Sequence, residues 1–223
     1  RWPSNYSLSF LVIVFVSLFS YFSVDVIPKV TESSIIPPLN LPLTVDFALV
    51  FIFLDLLLYW IHRISHVNKW LWRCHCVHHS DPHFDISTNF RHHPIEYLWV
   101  LLVFTLFAEL LSINALAMGF YTLCATIIQM WHHSNIKMWL KLECILARYI
   151  VTPSIHITHH SINYQESNRN FGTIFLLWDK VFNTYQAPDY QQKDTVVGVN
   201  GFSNAKQQTL LALLIQPFQK RPK

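Results

Sequence analysis

All thirteen histidines of this chain fall between His62 and His160, and their spacing is the feature that could do chemistry. His62 and His66 stand four residues apart. His75, His78 and His79 form an H-x-x-H-H run, which His156, His159 and His160 repeat. His132 and His133 are adjacent, with Gln129 one helical turn earlier. A neutral imidazole nitrogen is a common transition-metal ligand. Residues four apart share one face of a helix, so His62 and His66 can point at the same ion. In each H-x-x-H-H run the first ring can share an ion with the residue three or four positions on. The adjacent pair diverges by about 100°, so its two rings can serve two neighbouring ions. Two such runs, the H-x-x-x-H pair and one further histidine supply nine imidazoles, which suits two ions taking four or five nitrogens each.

Nine buried rings without metal would need partners for both nitrogens of each ring or carry desolvation costs. Metal binding therefore outweighs a structural cluster or a solvated pH sensor. Ligand type leaves Zn, Cu, Fe and Ni open. The absence of H-E-x-x-H argues against the common zinc peptidase arrangement. Cys74 and Cys76 flank His75, and thiolate there would favour zinc. The plainer expectation is reduced thiols, because no C-x-x-C pair exists and Cys124 sits in an apolar run. Two nitrogen-rich ions beside a membrane suit redox-active iron better than hydrolysis.

The elements that must position these residues are apolar. The chain is 52% hydrophobic and 13% charged, whereas about a quarter of a soluble domain is charged. A helix needs ~20 apolar residues to cross a bilayer. Leu8 to Val24 is one candidate, expected to be a retained span because no small-residue cleavage site follows it. Pro28, Pro37, Pro38 and Pro42 then mark a non-helical connection. Val45 to Ile61 is a second candidate, interrupted by Asp55. Tyr97 to Trp131 carries one charge, Glu109, and a polar break near Ser112 to Asn114, so it reads as two short spans in a hairpin, with a re-entrant hairpin as the alternative. Asp55 and Glu109 are expected near helix ends or paired inside the bundle, with a functional role as the alternative. A net charge of +3 without a basic stripe gives no reason to expect nucleic acid.

The expected fold is all-α: an integral membrane bundle of about four transmembrane helices with a cytosolic, histidine-rich helical cap. Segments 62–96 and 132–223 hold 4 and 10 of the 16 Lys and Arg residues; with Arg1, 15 face the cytoplasm and Lys29 faces outward. That asymmetry follows the positive-inside rule and puts every histidine motif on one side. Residues 1–44 form the first span and its Pro-rich connection, 45–186 the histidine unit, and 187–223 a polar tail. Within the tail, Leu210 to Ile215 either docks as a helix or lies along the membrane surface.

Several ordered motifs carry a resemblance. They are His62-Arg-Ile-Ser-His66, Leu71 to Asp81, Ser87 to Glu96, Gln129-Met-Trp-His-His133-Ser-Asn135, His156-Ile-Thr-His159-His160-Ser161, Asn170-Phe-Gly172 and Trp178 to Thr184. From about residue 45 to 186 the chain resembles the fatty acid hydroxylase / sterol desaturase superfamily. That resemblance implies two non-haem irons held on the cytosolic face of a helical bundle. The matching ligand positions are His62, His66, His75, His78, His79, His133, His156, His159 and His160. Gln129 stands where some members have histidine, and His132 has no clear counterpart among the ligands. His83 and His93 could support ligands or substrate. The chain departs from the pattern at Asn168, where relatives often carry aspartate, and at Asn183, where glycine is usual.

The resemblance also implies an O2-dependent hydroxylase or desaturase of a lipid, in the endoplasmic reticulum or a bacterial inner membrane. No haem attachment motif, dinucleotide fingerprint or Fe–S cysteine spacing is present, so an external electron donor such as cytochrome b5, a ferredoxin or a reductase is expected. Two other classes compete. A membrane haem electron-transfer protein would place its histidines within the spans. A metal transporter or metal-binding scaffold would line the spans with polar ligands, for which only Asp55 and Glu109 qualify.

Overall fold

Helix boundaries follow local capping chemistry. Helix α1 spans Trp2–Ser23 and α2 spans Leu43–Val67, entered just after Pro42. Asn68 closes α2 by donating its N–H to the Ile64 carbonyl at 2.8 Å. It also opens α3 (Lys69–His79), because its side chain accepts from the Trp70 and Leu71 amides. Pro94 occupies the first turn of α4 (Pro94–Leu110), where a missing N–H costs nothing. Asn114 caps α5 (Ala115–His132) through the Leu116 and Ala117 amides. The shorter helices are α6 (Leu140–Leu146), α7 (Pro153–His159), α8 (Tyr164–Ser167), α9 (Leu177–Val181) and α10 (Leu210–Ile215).

This computed structural model describes residues 1–23, 41–190 and 195–219. The connection expected at Pro28, Pro37 and Pro38, and the outward placement of Lys29, lie outside the described residues. Among those described the fold is all-α, with no strand and two isolated antiparallel bridges, Ile150 to Phe175 and Ser161 to Val197.

Among the described residues, two helices are long and apolar enough to cross a membrane, α1 over Trp2–Phe19 and α2 over Leu43–Val67. Helices α4 and α5 are 17 and 18 residues long. They are joined by a turn at Ser112, with φ 50°, where the sequence has its polar break. The main apolar core joins Val50, Leu54, Leu57 and Ile61 of α2 to Ala117, Tyr121 and Ala125 of α5, with Val100, Val103 and Phe104 of α4 packed against it. A smaller core of Val151, Ile155 and Leu176 seats α7. The tail docks: Leu213 of α10 is buried against Leu8 and Val77. Gln216 bridges the Ser80 hydroxyl and the Cys76 carbonyl, and Arg73 donates to the Pro217 and Gln219 carbonyls.

Candidate metal centre

Four polypeptide segments deliver the nine histidines to one place. The last turns of α2 supply His62 and His66, and α3 supplies His75, His78 and His79. His133 caps the end of α5; His156 and His159 lie on α7, with His160 as its cap. The rings gather into two groups. His62, His66, His75, His79 and His159 each offer a ligand atom within 4.8 Å of the others, and His78, His133, His156 and His160 do the same. Each adjacent pair is divided, His79 from His78 and His159 from His160. The partners within a group are the four-apart residues: 62 with 66, 75 with 79, and 156 with 160.

Hydrogen bonds at the outer nitrogens fix which way several rings face. His62 Nδ1 lies 2.9 Å from the Phe171 carbonyl, and His159 Nδ1 lies 2.6 Å from the Arg169 carbonyl. A carbonyl oxygen only accepts, so Nδ1 is the donor in both rings and Nε2 keeps its lone pair. Yet those two Nε2 atoms face each other at 3.0 Å. Two lone pairs that close repel unless a proton or a metal ion lies between them. His133 repeats the pattern: Nδ1 donates to the Gln129 carbonyl at 2.8 Å, and Nε2 meets His156 and His78 at 3.0 and 3.2 Å.

Protonation is not the easy way out. Burial, and then the neighbouring imidazoles, hold His78, His79, His156 and His160 well below the usual histidine range. Burial and the nearby His62 ring do the same to His159, and burial brings His133 down to about 3. Burial thus keeps these six rings neutral at pH 7, and the tautomers of His133 and His159 turn a bare nitrogen inward. Nitrogens about 2.1 Å from one ion and at right angles lie about 3.0 Å apart, against about 3.4 Å for a tetrahedral pair. The observed spacings of 3.0–3.2 Å fit the former. The residues present therefore suit two cations with open, nitrogen-rich coordination.

The supports reach into the next layer. Glu96 Oε1 accepts from His75 Nδ1 at 2.7 Å and from His92 Nδ1 at 3.1 Å, and the His92 ring stacks on His78 at 4.3 Å. Motif reasoning did not single out either residue. The signal was present: they stand four apart across the start of α4, with Pro94 between them. Arg91, fully buried, donates to the Val77 carbonyl, the Asn5 side chain and the Ser80 hydroxyl, which ties down the end of α3. Burial lowers its guanidinium to about 10, still cationic at pH 7. The Phe171 carbonyl that orients His62 is placed by Asp179, whose two oxygens accept from the Phe171 and Gly172 amides, both at 2.8 Å.

Other candidates are not members of the two groups. His93 caps α4 and meets the Leu214 carbonyl at 3.2 Å, and His83 is exposed. His132 is buried beside His156, with ring centroids 3.9 Å apart and neither nitrogen hydrogen-bonded. Cys74 and Cys76 are buried and unbridged, and burial pushes the Cys74 thiol up to about 11. Asp55 is paired inside the bundle, accepting from Tyr121, Trp178 and the Ile174 and Phe175 amides. Glu109 lies at the end of α4. Asn183 has φ 55°, the left-handed region that favours glycine and tolerates asparagine.

A cavity of about 430 Å³ runs from both groups between α2, α4 and α5, lined by Leu58, Val100, Phe104, Met118, Ala125 and Gln129 among others. A second, of about 330 Å³, reaches His66 and His79 beside Lys69, Trp72, Tyr164 and Asn200.

A fatty acid hydroxylase family model matches residues 47–184. Alkylglycerol monooxygenase of Danio rerio is 33% identical over 144 residues, 63% of this chain and 30% of that protein. Ornithine lipid hydroxylase OlsE of Rhizobium tropici is 28% identical over 195 residues, covering 87% of this chain and 56% of the relative. Lathosterol oxidase of Mus musculus is 26% identical over 61% of this chain and 43% of its own length. The chain thus spans between about a third and about a half of these relatives. No solved structure matches.

Proposed function

Because the chain belongs to the fatty acid hydroxylase family, we propose that it is a membrane-bound oxidoreductase that uses O2 and two electrons to hydroxylate or desaturate a lipid. Its nine ligands are His62, His66, His75, His79 and His159 around one non-haem iron, and His78, His133, His156 and His160 around a second. One observation carries the reading: the His62 and His159 Nε2 lone pairs facing each other at 3.0 Å, with both outer nitrogens committed to carbonyls. Rings that close leave no slot for a haem plane between them, which weighs against the haem alternative.

Iron bound there supplies oxygen activation and removal of hydrogen from an unactivated C–H bond. The protein contributes position and dryness. Leu58, Val100, Phe104 and Met118 hold a hydrocarbon chain against the two groups and keep water away from it. The Phe171, Arg169 and Gln129 carbonyls and Glu96 hold four rings in the tautomer that leaves the inner nitrogen bare. Helices α1, α2, α4 and α5 serve as four membrane crossings, with residues 45–186 as the oxidising unit and the histidines facing the cytoplasm. The relatives named above act, by their names, on an alkylglycerol, an ornithine lipid and a sterol, which supports a lipid substrate. Electrons come from a separate donor such as cytochrome b5, a ferredoxin or a reductase.

The test is metal analysis and oxygen uptake of the purified chain, alongside mass spectrometry of total lipids from cells with and without the gene. Two irons per chain and a lipid changed by one oxygen or by two hydrogens are expected. Metal-free protein that keeps full activity, or unchanged lipids in cells with a working donor, overturns the proposal.

A further inference from the structure

The segment directly after α5 leaves the bundle with its apolar side chains outward. Between Ile136 and Tyr149 the exposed large residues are Ile136, Trp139, Leu140, Leu142, Ile145 and Tyr149, with Trp139 at 71% and Tyr149 at 67% exposure. Over the same stretch Glu143 and Ala147 are buried and anchor α6 to the protein. On α6, Leu142 and Ile145 stand at i and i+3 with Lys141 beside them, and Arg148 and Tyr149 follow just past its last turn; all five are exposed. The Lys141 ammonium sits 5.7 Å from the Trp139 ring centre. A short amphipathic element with Trp and Tyr at its ends and exposed cations is built for the boundary between headgroups and hydrocarbon.

We propose that residues 136–149 form an interfacial foot. It lies flat in the headgroup layer at the membrane end of α5, with Leu142, Ile145 and Tyr149 dipping into the acyl region and Lys141 and Arg148 pairing with anionic phospholipid headgroups. Two observations choose this occupant over another protein surface. The segment begins four residues past the end of α5, one of the helices assigned above as a crossing, so it emerges at the bilayer edge. Its exposed charges are also of one sign, Lys137, Lys141 and Arg148, which complements anionic lipid; the one acid, Glu143, is turned inward. The foot would hold the cavity mouth and the metal groups at a constant depth. The inference rests on the membrane placement proposed above and not on the metal chemistry.

The experiment places a nitroxide label at Leu123, Ile145 or Arg148, each changed to Cys in a chain carrying Cys144→Ser, in nanodiscs of phosphatidylcholine with or without phosphatidylglycerol. Collisions with O2 report lipid exposure, and collisions with a water-soluble nickel chelate report exposure to water. Residue 123, on the 60% exposed face of α5, is the control for the membrane placement. The expected result is O2-accessible labels at 123 and 145 and a nickel-accessible label at 148. In label-free protein, K141E/R148E should lower retention of phosphatidylglycerol relative to phosphatidylcholine, by about fivefold for each cation reversed. A lipid-exposed 123 with a water-exposed 145 overturns the foot and leaves the membrane placement standing. A water-exposed 123 overturns both. Spin–spin broadening at 145 that is indifferent to lipid composition assigns the face to a second copy of the chain and overturns the proposal, as does unchanged lipid retention in K141E/R148E.

Discussion

Two buried polar regions lie within a few helical turns of each other, and they are completed in opposite ways. Asp55, in the middle of α2, receives four donors from the protein itself: the Ile174 and Phe175 amides, the Trp178 indole and the Tyr121 hydroxyl. Asp179 is similarly filled by Phe171, Gly172 and Thr184. In the histidine groups the outer nitrogens of His62, His75, His133 and His159 are hydrogen-bonded, whereas Nδ1 of His78 and of His156 finds no partner. Inward the groups present nitrogen to nitrogen at 3.0–3.2 Å. A buried carboxylate with all its donors holds structure together. A buried ring of lone pairs is finished only by a cation.

That contrast can be broken in graded ways. The largest effect is expected from His159→Ala, which removes a ring of the first group. Turnover should fall by more than about 100-fold, the upper end for changing a residue that merely orients a ligand. Bound iron should drop as well, measured by elemental analysis; a variant that keeps both iron and turnover removes His159 from the ligand set. Next comes Glu96→Leu, which frees His75 to rotate. Metal affinity should weaken by about 10–100-fold, with partial rescue by Glu96→Gln because its amide oxygen still accepts. Chelator competition provides the measure, and wild-type affinity in both variants makes Glu96 a bystander.

Asp55→Leu tests the other side. Four stranded donors should cost about 3 kcal/mol or more of stability, seen as a lower thermal midpoint, while iron per folded chain stays at the wild-type value. Loss of iron without loss of stability reverses the assignment of roles. Gly172→Ala should cost about 2 kcal/mol, because an added Cβ meets the Phe175 carbonyl at 2.7 Å and an Asp179 oxygen at 2.9 Å.

The most graded effect is on pH. His133 sits at about 3 in the folded chain, against an ordinary value of 6.5, chiefly because burial disfavours its charged form. The unfolded chain therefore binds the proton first as pH falls. Stability of the metal-free protein should be full above about pH 6.5 and decline from there toward pH 3. Bound metal should be released over the acid limb as protons compete for the same nitrogens. A metal-free protein whose unfolding midpoint is flat from pH 7 to 4 contradicts the burial of neutral rings.

The amino-acid sequence by itself determined the histidine spacing, the apolar spans, the polar break near Ser112 and the divergence of His78 from His79 and of His159 from His160. These follow from periodicity along one helix, which one-dimensional order encodes. Tertiary structure alone decided that His159 joins the group of His62 while His156 joins that of His133, that Glu96 and His92 buttress the rings, and which four donors complete Asp55, a residue the sequence already pointed to as paired inside the bundle. Those outcomes depend on which helix faces which, across separations such as the 97 residues between His62 and His159. A long-range contact leaves no local period to read. Packing and the saturation of buried polar groups choose it only when the chain is folded.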